Sequence, residues 1–116
     1  MRAGPTREAK RGTVEIAILA CLERGDNYGL GILDELLLRS DGALVLKTGS
    51  LYPALHRMVR QGWLSARWEL NEAGGSPRKY YRLTAAGRQV LDKKREEWRQ
   101  VSDAMEAFML KGSAAL

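Results

Sequence analysis

The stretch KTGSLYPALHRMVRQGWLSARWELNEAGGSPRKYYRLT, residues 47–84, decides the fold. Its periodicity changes half-way. Leu51, Leu55, Met58 and Val59 recur at three and four, the spacing of one helix face, and Gly62 ends that helix. From Trp63 to Glu69 the period is two, with Leu64, Ala66 and Trp68 set against Ser65, Arg67 and Glu69. Residues 71–77 are turn-forming, with Gly74 and Gly75 at the tip, and Arg78–Leu83 reads as a second strand. Helix, strand, glycine-rich tip and strand make a helix followed by an antiparallel hairpin. Pro53 sets where the helix begins. With Ser50 as the cap, Pro53 falls at the third helical position, where its missing N–H is not needed. With Thr48 as the cap, Pro53 lies deeper and strains the turn. Ser50, or an irregular first turn, is the favoured reading.

Upstream, Thr13 heads an apolar segment from Val14 to Leu22. Its β-branched start suits a strand, but Ala and Leu dominate its second half and Glu15 and Glu23 break any alternation, so it reads as a helix. Gly25, Asp26 and Asn27 form a break, and Asp26 or Asn27 caps a second helix carrying Tyr28, Ile32, Leu33, Leu36 and Leu37. Gly29 and Gly31 within it suggest close approach of another backbone, from a packed helix or a phosphate. Ser40, Asp41 and Gly42 end it, and 43–46 is extended. Downstream, Thr84 caps a long helix from Ala85 to about Leu110. Leu91, Trp98 and Met105 recur at intervals of seven, with Val101 and Phe108 as companions. Such a helix is roughly 39 Å long. A body this small cannot cover it, so the stripe predicts a second subunit and Leu91, Trp98, Val101, Met105 and Phe108 as its interface.

The chain has 116 residues, one domain's worth, and a net charge of +5. That charge is unevenly placed: residues 1–11 carry +3, 12–46 carry −4, 47–88 carry +6 and 89–116 carry none. An acidic first third and a basic middle point to one positive face and an anionic partner. One cysteine, Cys21, excludes an intrachain disulfide, and one histidine, His56, excludes a histidine-based metal cluster. No apolar run is long enough to span a membrane. The expectation is a cytoplasmic protein with no metal, cofactor or membrane partner. Nothing resembles a catalytic constellation: Cys21 sits in an apolar helix, His56 has no nucleophile beside it, and Glu96 and Glu97 do not face one another. The reading is therefore that the chain is not an enzyme.

Three helices followed by a hairpin give the order of a winged helix-turn-helix, mainly α with a small β hairpin, joined here to a long C-terminal dimerisation helix. The expected boundaries are an arm or short helix at 1–11, the DNA-binding domain at 12–84, the dimerisation helix at 85–111 and a tail at 112–116. The third helix suits a major groove, and its outer side offers Tyr52, His56, Arg57 and Arg60. The hairpin tip, with Arg78 and Lys79 behind Gly74 and Gly75, reaches phosphates or the minor groove. Each also has a plainer reading, as solvated helix surface or as charges that blunt a hairpin end. A winged-helix adaptor that binds an acidic protein surface without reading DNA is the competing function.

Four stretches carry a family resemblance: Gly12-Thr13-Val14-Glu15, Tyr28-Gly29-Leu30-Gly31-Ile32, Gly49-Ser50-Leu51-Tyr52-Pro53-Ala54-Leu55-His56-Arg57-Met58, and Arg78-Lys79-Tyr80-Tyr81-Arg82-Leu83-Thr84-Ala85-Ala86-Gly87. With these the chain resembles the PadR family of bacterial transcriptional regulators, in its short form with one C-terminal helix. The resemblance implies a homodimeric repressor on double-stranded DNA with a pseudo-palindromic operator. It extends the expected DNA-binding set to Tyr28, Lys47, Thr48, Ser50 and Pro53. Gly25-Asp26-Asn27-Tyr28 and Glu97-Trp98-x-x-Val101 are similar to multidrug-binding members, in which paired tryptophans sandwich a flat aromatic molecule. That likeness implies Trp98 as a platform, with Val14, Glu15, Val101 and Ser102 lining a site for a small planar aromatic effector. Ser102 stands where those members carry an acid, which weakens the case for a cationic ligand. Trp98 also fits as plain dimer core, and the sequence leaves both readings open.

Overall fold

The computed structural model describes residues 11–115, with side chains from 12 to 110. The expected N-terminal arm, Arg11 apart, lies outside the described residues. The chain runs α1 (Arg11–Glu23), β1 (Asn27–Tyr28), α2 (Gly29–Arg39), α3 (Thr48–Arg60), β2 (Leu64–Glu69), β3 (Arg78–Leu83) and α4 (Ala85–Ala115). The mainly helical winged helix-turn-helix architecture with a long C-terminal helix is present. The hairpin is part of a three-stranded antiparallel sheet, ordered β1-β3-β2. Asn27 pairs with Tyr81 and Tyr28 with Tyr80, an addition that two residues are too short to signal by pattern. No described helix is long and apolar enough to cross a membrane.

One core holds the unit together. α1 contributes Val14, Ile18, Leu19, Cys21 and Leu22, α2 contributes Ile32 and Leu36, and α3 contributes Leu51, Ala54, Leu55 and Met58. Leu64, Tyr81 and Leu83 cover it from the sheet. Burial pushes the Cys21 thiol up to about 11, with the Glu35 charge adding to the effect. Burial likewise raises the Tyr81 phenol, helped by Tyr52.

Three local expectations change. α2 starts at Gly29 with Tyr28 in the cap position; the Asn27 side chain instead accepts a hydrogen bond from the Tyr28 N–H, at 2.9 Å. α3 starts at Thr48, not after Ser50, and holds Pro53 inside it. The proline denies the Gly49 carbonyl its usual donor. Burial of four side chains from Leu51 to Met58 keeps the helix continuous across that gap. The glycines of α2 admit side chains, not backbone or phosphate: a Cβ on Gly29 would meet the Tyr52 ring, and one on Gly31 the Asn27 amide.

Thr84 caps α4 as its position suggested. Its hydroxyl accepts from the Gly87 N–H at 3.0 Å and donates to the Gly62 carbonyl at 2.6 Å, tying the helix start to the end of α3. Gly87 lies against the Trp63 carbonyl, where no larger residue fits. The helix then runs through Ala115, so residues 112–115 continue it and form no separate tail. Leu91 is a correction to the expected interface set: it is 1 % exposed and belongs to this chain's own core. Helical spacing cannot tell which partner covers a residue. Arg95 next grips Glu23 of α1 through two contacts, at 2.7 and 3.2 Å, and holds that carboxyl below the usual carboxylate range. Beyond Arg95, every side chain to Leu110 is exposed.

Candidate nucleic-acid interface

The sheet alternates cleanly, and that alternation builds the wing. Leu64, Ala66 and Trp68 of β2 share a face with Lys79, Tyr81 and Leu83 of β3. Near the helices this face is core. Toward the tip the helices run out, so Trp68, directly opposite Lys79, is 67 % exposed with the ammonium 5.7 Å from its ring centre. On the other face the Arg78 guanidinium lies 4.4 Å over the Tyr28 ring, Tyr28 packs on Tyr80 at 5.5 Å, and Arg67 lies 5.6 Å from Tyr80. Arg67 also pairs with Asp26 and Glu69, each at 2.6 Å. Two arginines bracketing two tyrosines stiffen the tip-side half of the hairpin. Gly74 and Gly75 turn the tip at φ +95° and +91°, values that L side chains rarely adopt.

α3 faces this wing. Thr48, Tyr52, His56 and Arg60 recur at four along it, and Thr48, His56 and Arg60 are exposed. Tyr52 is half-buried against Gly29. Tyr28, Leu30, Tyr52, His56, Trp68, Pro77, Arg78 and Lys79 line one open groove between α3 and the wing. Lys47 occupies the cap position of α3, and Lys47 and Pro53 are exposed. Ser50 is half-buried within the first turn.

Two expected DNA-contacting residues have other employment. Tyr28 supports Arg78. Arg57 turns away from the groove toward α1, where its Nε lies 3.7 Å from a carboxylate oxygen of Glu15. Trp68 and Pro77 also line the groove, although neither is among the expected site residues. Trp68 shares its strand face with the core residue Leu64, and the length of the hairpin beyond the helices exposes it.

The residues expected to line an effector site do not gather in this chain. Val14 is in the core and Glu15 is taken up by Arg57. A shallow hollow beside Trp98 is formed by Asp92, Arg95, Glu96, Arg99 and Ser102. Trp98, Val101, Met105 and Phe108 stand exposed along α4 with Met109 and Leu110, Trp98 at 57 %. Among the described residues no three or more His, Cys, Asp or Glu side chains gather into a metal cluster.

Residues 18–93 match the model of the transcriptional regulator PadR-like family. The chain belongs to this family. Among its relatives, transcriptional regulator Rv3488 of Mycobacterium tuberculosis is 34 % identical over 89 residues, covering 77 % of this chain and 78 % of that one. A PadR family transcription regulator from Clostridium difficile R20291 superposes with a TM-score of 0.75 at 35 % identity, over 84 % of this chain and 99 % of its own. Bacillus subtilis PadR, solved in complex with operator DNA, superposes at 0.64 with 25 % identity, over 70 % of this chain and 45 % of its own. The PadR match runs from within α1 to the root of α4 and so includes α2, α3 and the wing, the elements that form the groove.

Proposed function

We propose that this PadR-family chain is a homodimeric repressor that binds a pseudo-palindromic operator and is released by a small aromatic or lipophilic molecule. The observation that carries the DNA reading is the open groove lined by Tyr52 and His56 of α3 and by Arg78 and Lys79 of the wing. A helix edge suits the major groove, while a basic hairpin suits the flanking phosphates. The relative from Bacillus subtilis solved on operator DNA supports the same use of this fold.

The dimer reading rests on the free half of α4. Trp98, Val101, Met105 and Phe108 make an exposed apolar stripe longer than a lone soluble subunit usually keeps. Paired through α4, two reading helices about 34 Å apart meet successive major grooves. A planar ligand stacked between Trp98 and its symmetry mate alters that spacing and lowers operator affinity.

The test is a titration of the protein into a fluorescent duplex from its own upstream region, at two salt concentrations, beside a scrambled duplex. The expected result is selective binding that weakens with salt. Equal, weak binding to both duplexes counts against the reading and favours the adaptor. Trp98 fluorescence in a W63F/W68F variant then screens for the effector. A ligand that binds yet leaves operator affinity unchanged refutes the release mechanism.

A further inference from the structure

Glu15 and Arg57 were expected at two different sites, an effector wall and a DNA surface, and the fold brings them together. Arg57 sits on α3 between the exposed His56 and the core residue Met58. Its side chain is 26 % exposed and that of Glu15 is 15 % exposed. The 3.7 Å approach is an ion pair without a hydrogen bond. The Arg57 Nε is buried, and among the described residues it is the one buried side-chain nitrogen or oxygen without a hydrogen-bond partner. A phosphate-clamping arginine keeps its planar fork free to meet the anion. This one sinks its Nε into the α1–α3 seam and relies on one carboxylate for its charge. Both helices otherwise contribute apolar side chains to the shared core, and apolar contacts are not directional. A charge pair at the seam has a preferred orientation.

We propose that Arg57 is a positioning residue for the DNA-reading helix, and that Glu15 of α1 is the group through which it acts. The inference rests on the regulator reading given above. Its physical content is the rotation of α3 about its own axis. A side-chain tip lies roughly 6 Å from that axis, so a rotation of about 10° moves it by about 1 Å. That shift is wider than the distance range of a good hydrogen bond. Thr48, Tyr52, His56 and Arg60 then miss base edges, while attraction to phosphates, which needs no such precision, persists. The pair therefore governs selectivity more than overall affinity.

The experiment starts from a duplex selected out of a randomised pool by the wild-type protein. Affinity for it and for a scrambled duplex is measured across a salt series for wild type, R57Q, E15Q, the exchange E15R/R57E, and R60Q. R57Q and E15Q are each expected to lower the selected-to-scrambled ratio about tenfold, leaving the scrambled affinity and the salt slope unchanged. The exchange recovers most of that ratio. A thermal melt confirms that each variant is folded at the assay temperature; E15Q, which removes only a charge, carries the same expectation where R57Q does not fold. The proposal is overturned if R57Q weakens both duplexes equally and flattens the salt slope by about one, as a phosphate contact would. It is also overturned if E15Q matches wild type. A wild-type protein that selects no duplex sinks the regulator reading itself. Selective wild-type binding lost in R60Q but kept in R57Q and E15Q sinks this inference alone.

Discussion

Replacing Leu91 with alanine separates two roles that α4 combines. Leu91 is the sole α4 side chain in the buried core among the described residues, at 1 % exposure. Truncating a buried leucine costs about 2–5 kcal/mol, depending on how far the site collapses. α4 is held on one side only and settles into part of the space, so about 2–3 kcal/mol is the expected cost. For a chain of this size that lowers the thermal midpoint by about 8–12 °C. The assay is thermal and urea unfolding over a hundredfold range of protein concentration. Phe108→Asp, on the free half of the helix, is the companion. Leu91→Ala is expected to lower the midpoint by the same amount at every concentration, because it weakens the subunit. Phe108→Asp is expected to act by mass action and to abolish the concentration dependence. The reasoning fails if the Leu91→Ala effect disappears at high concentration, since that places Leu91 at the seam between subunits. A midpoint within about 1 °C of wild type refutes it equally, because no buried leucine is that dispensable.

Gly87→Ala, normally a helix-stabilising change of about 1 kcal/mol, is expected to reverse sign here and cost about 1–3 kcal/mol in urea unfolding, since its Cβ meets the Trp63 carbonyl. Cys21 is expected to resist a disulfide reagent at pH 8 until denaturant is added. Its folded pKa of about 11 exceeds the unfolded 9.0, so its contribution to stability is intact below pH 9 and is lost as pH rises from 9 toward 11. A Cys21→Val comparison in pH-dependent unfolding isolates that loss. Arg78→Gln and Lys79→Gln are each expected to lower the slope of log affinity against log salt by about one while leaving the preference among duplexes in place. Unchanged slopes remove the wing from the DNA surface.

The sequence made the periodic elements legible because period reports local geometry. The change from four to two at Gly62, the glycine tip and the Thr84 cap needed no tertiary knowledge. Contacts were less accessible. Gly29 and Gly31 announced a close approach, but not that the Tyr52 ring and the Asn27 amide make it. β1 exists only because β3 offers it an edge. Arg57 and His56 are neighbours in the chain, and the 100° between successive helical residues sends one to α1 and leaves the other exposed. Leu91 shares the seven-residue spacing of Trp98 and Met105, yet the end of the globular body falls between Leu91 and Trp98. Of the groove's charged and aromatic residues, Tyr52, His56, Arg78 and Lys79 follow from the outer side of the third helix and the basic hairpin, and Tyr28 from the family resemblance, while Trp68 carries no such signal.

The clamp at the root of α4 has a mechanical consequence. Gly87, Leu91 and Arg95 fix the helix against the body, and its free portion extends roughly 30 Å beyond them. A rod held at one end is a lever. A tilt of about 5° at the clamp sweeps the far end through roughly 3 Å over that length. Worked in reverse, a wedge of a few ångströms lodged far out along α4 arrives at its root as a rotation with mechanical advantage. On α1, the residue ion-paired to that root is Glu23, two helical turns from Glu15.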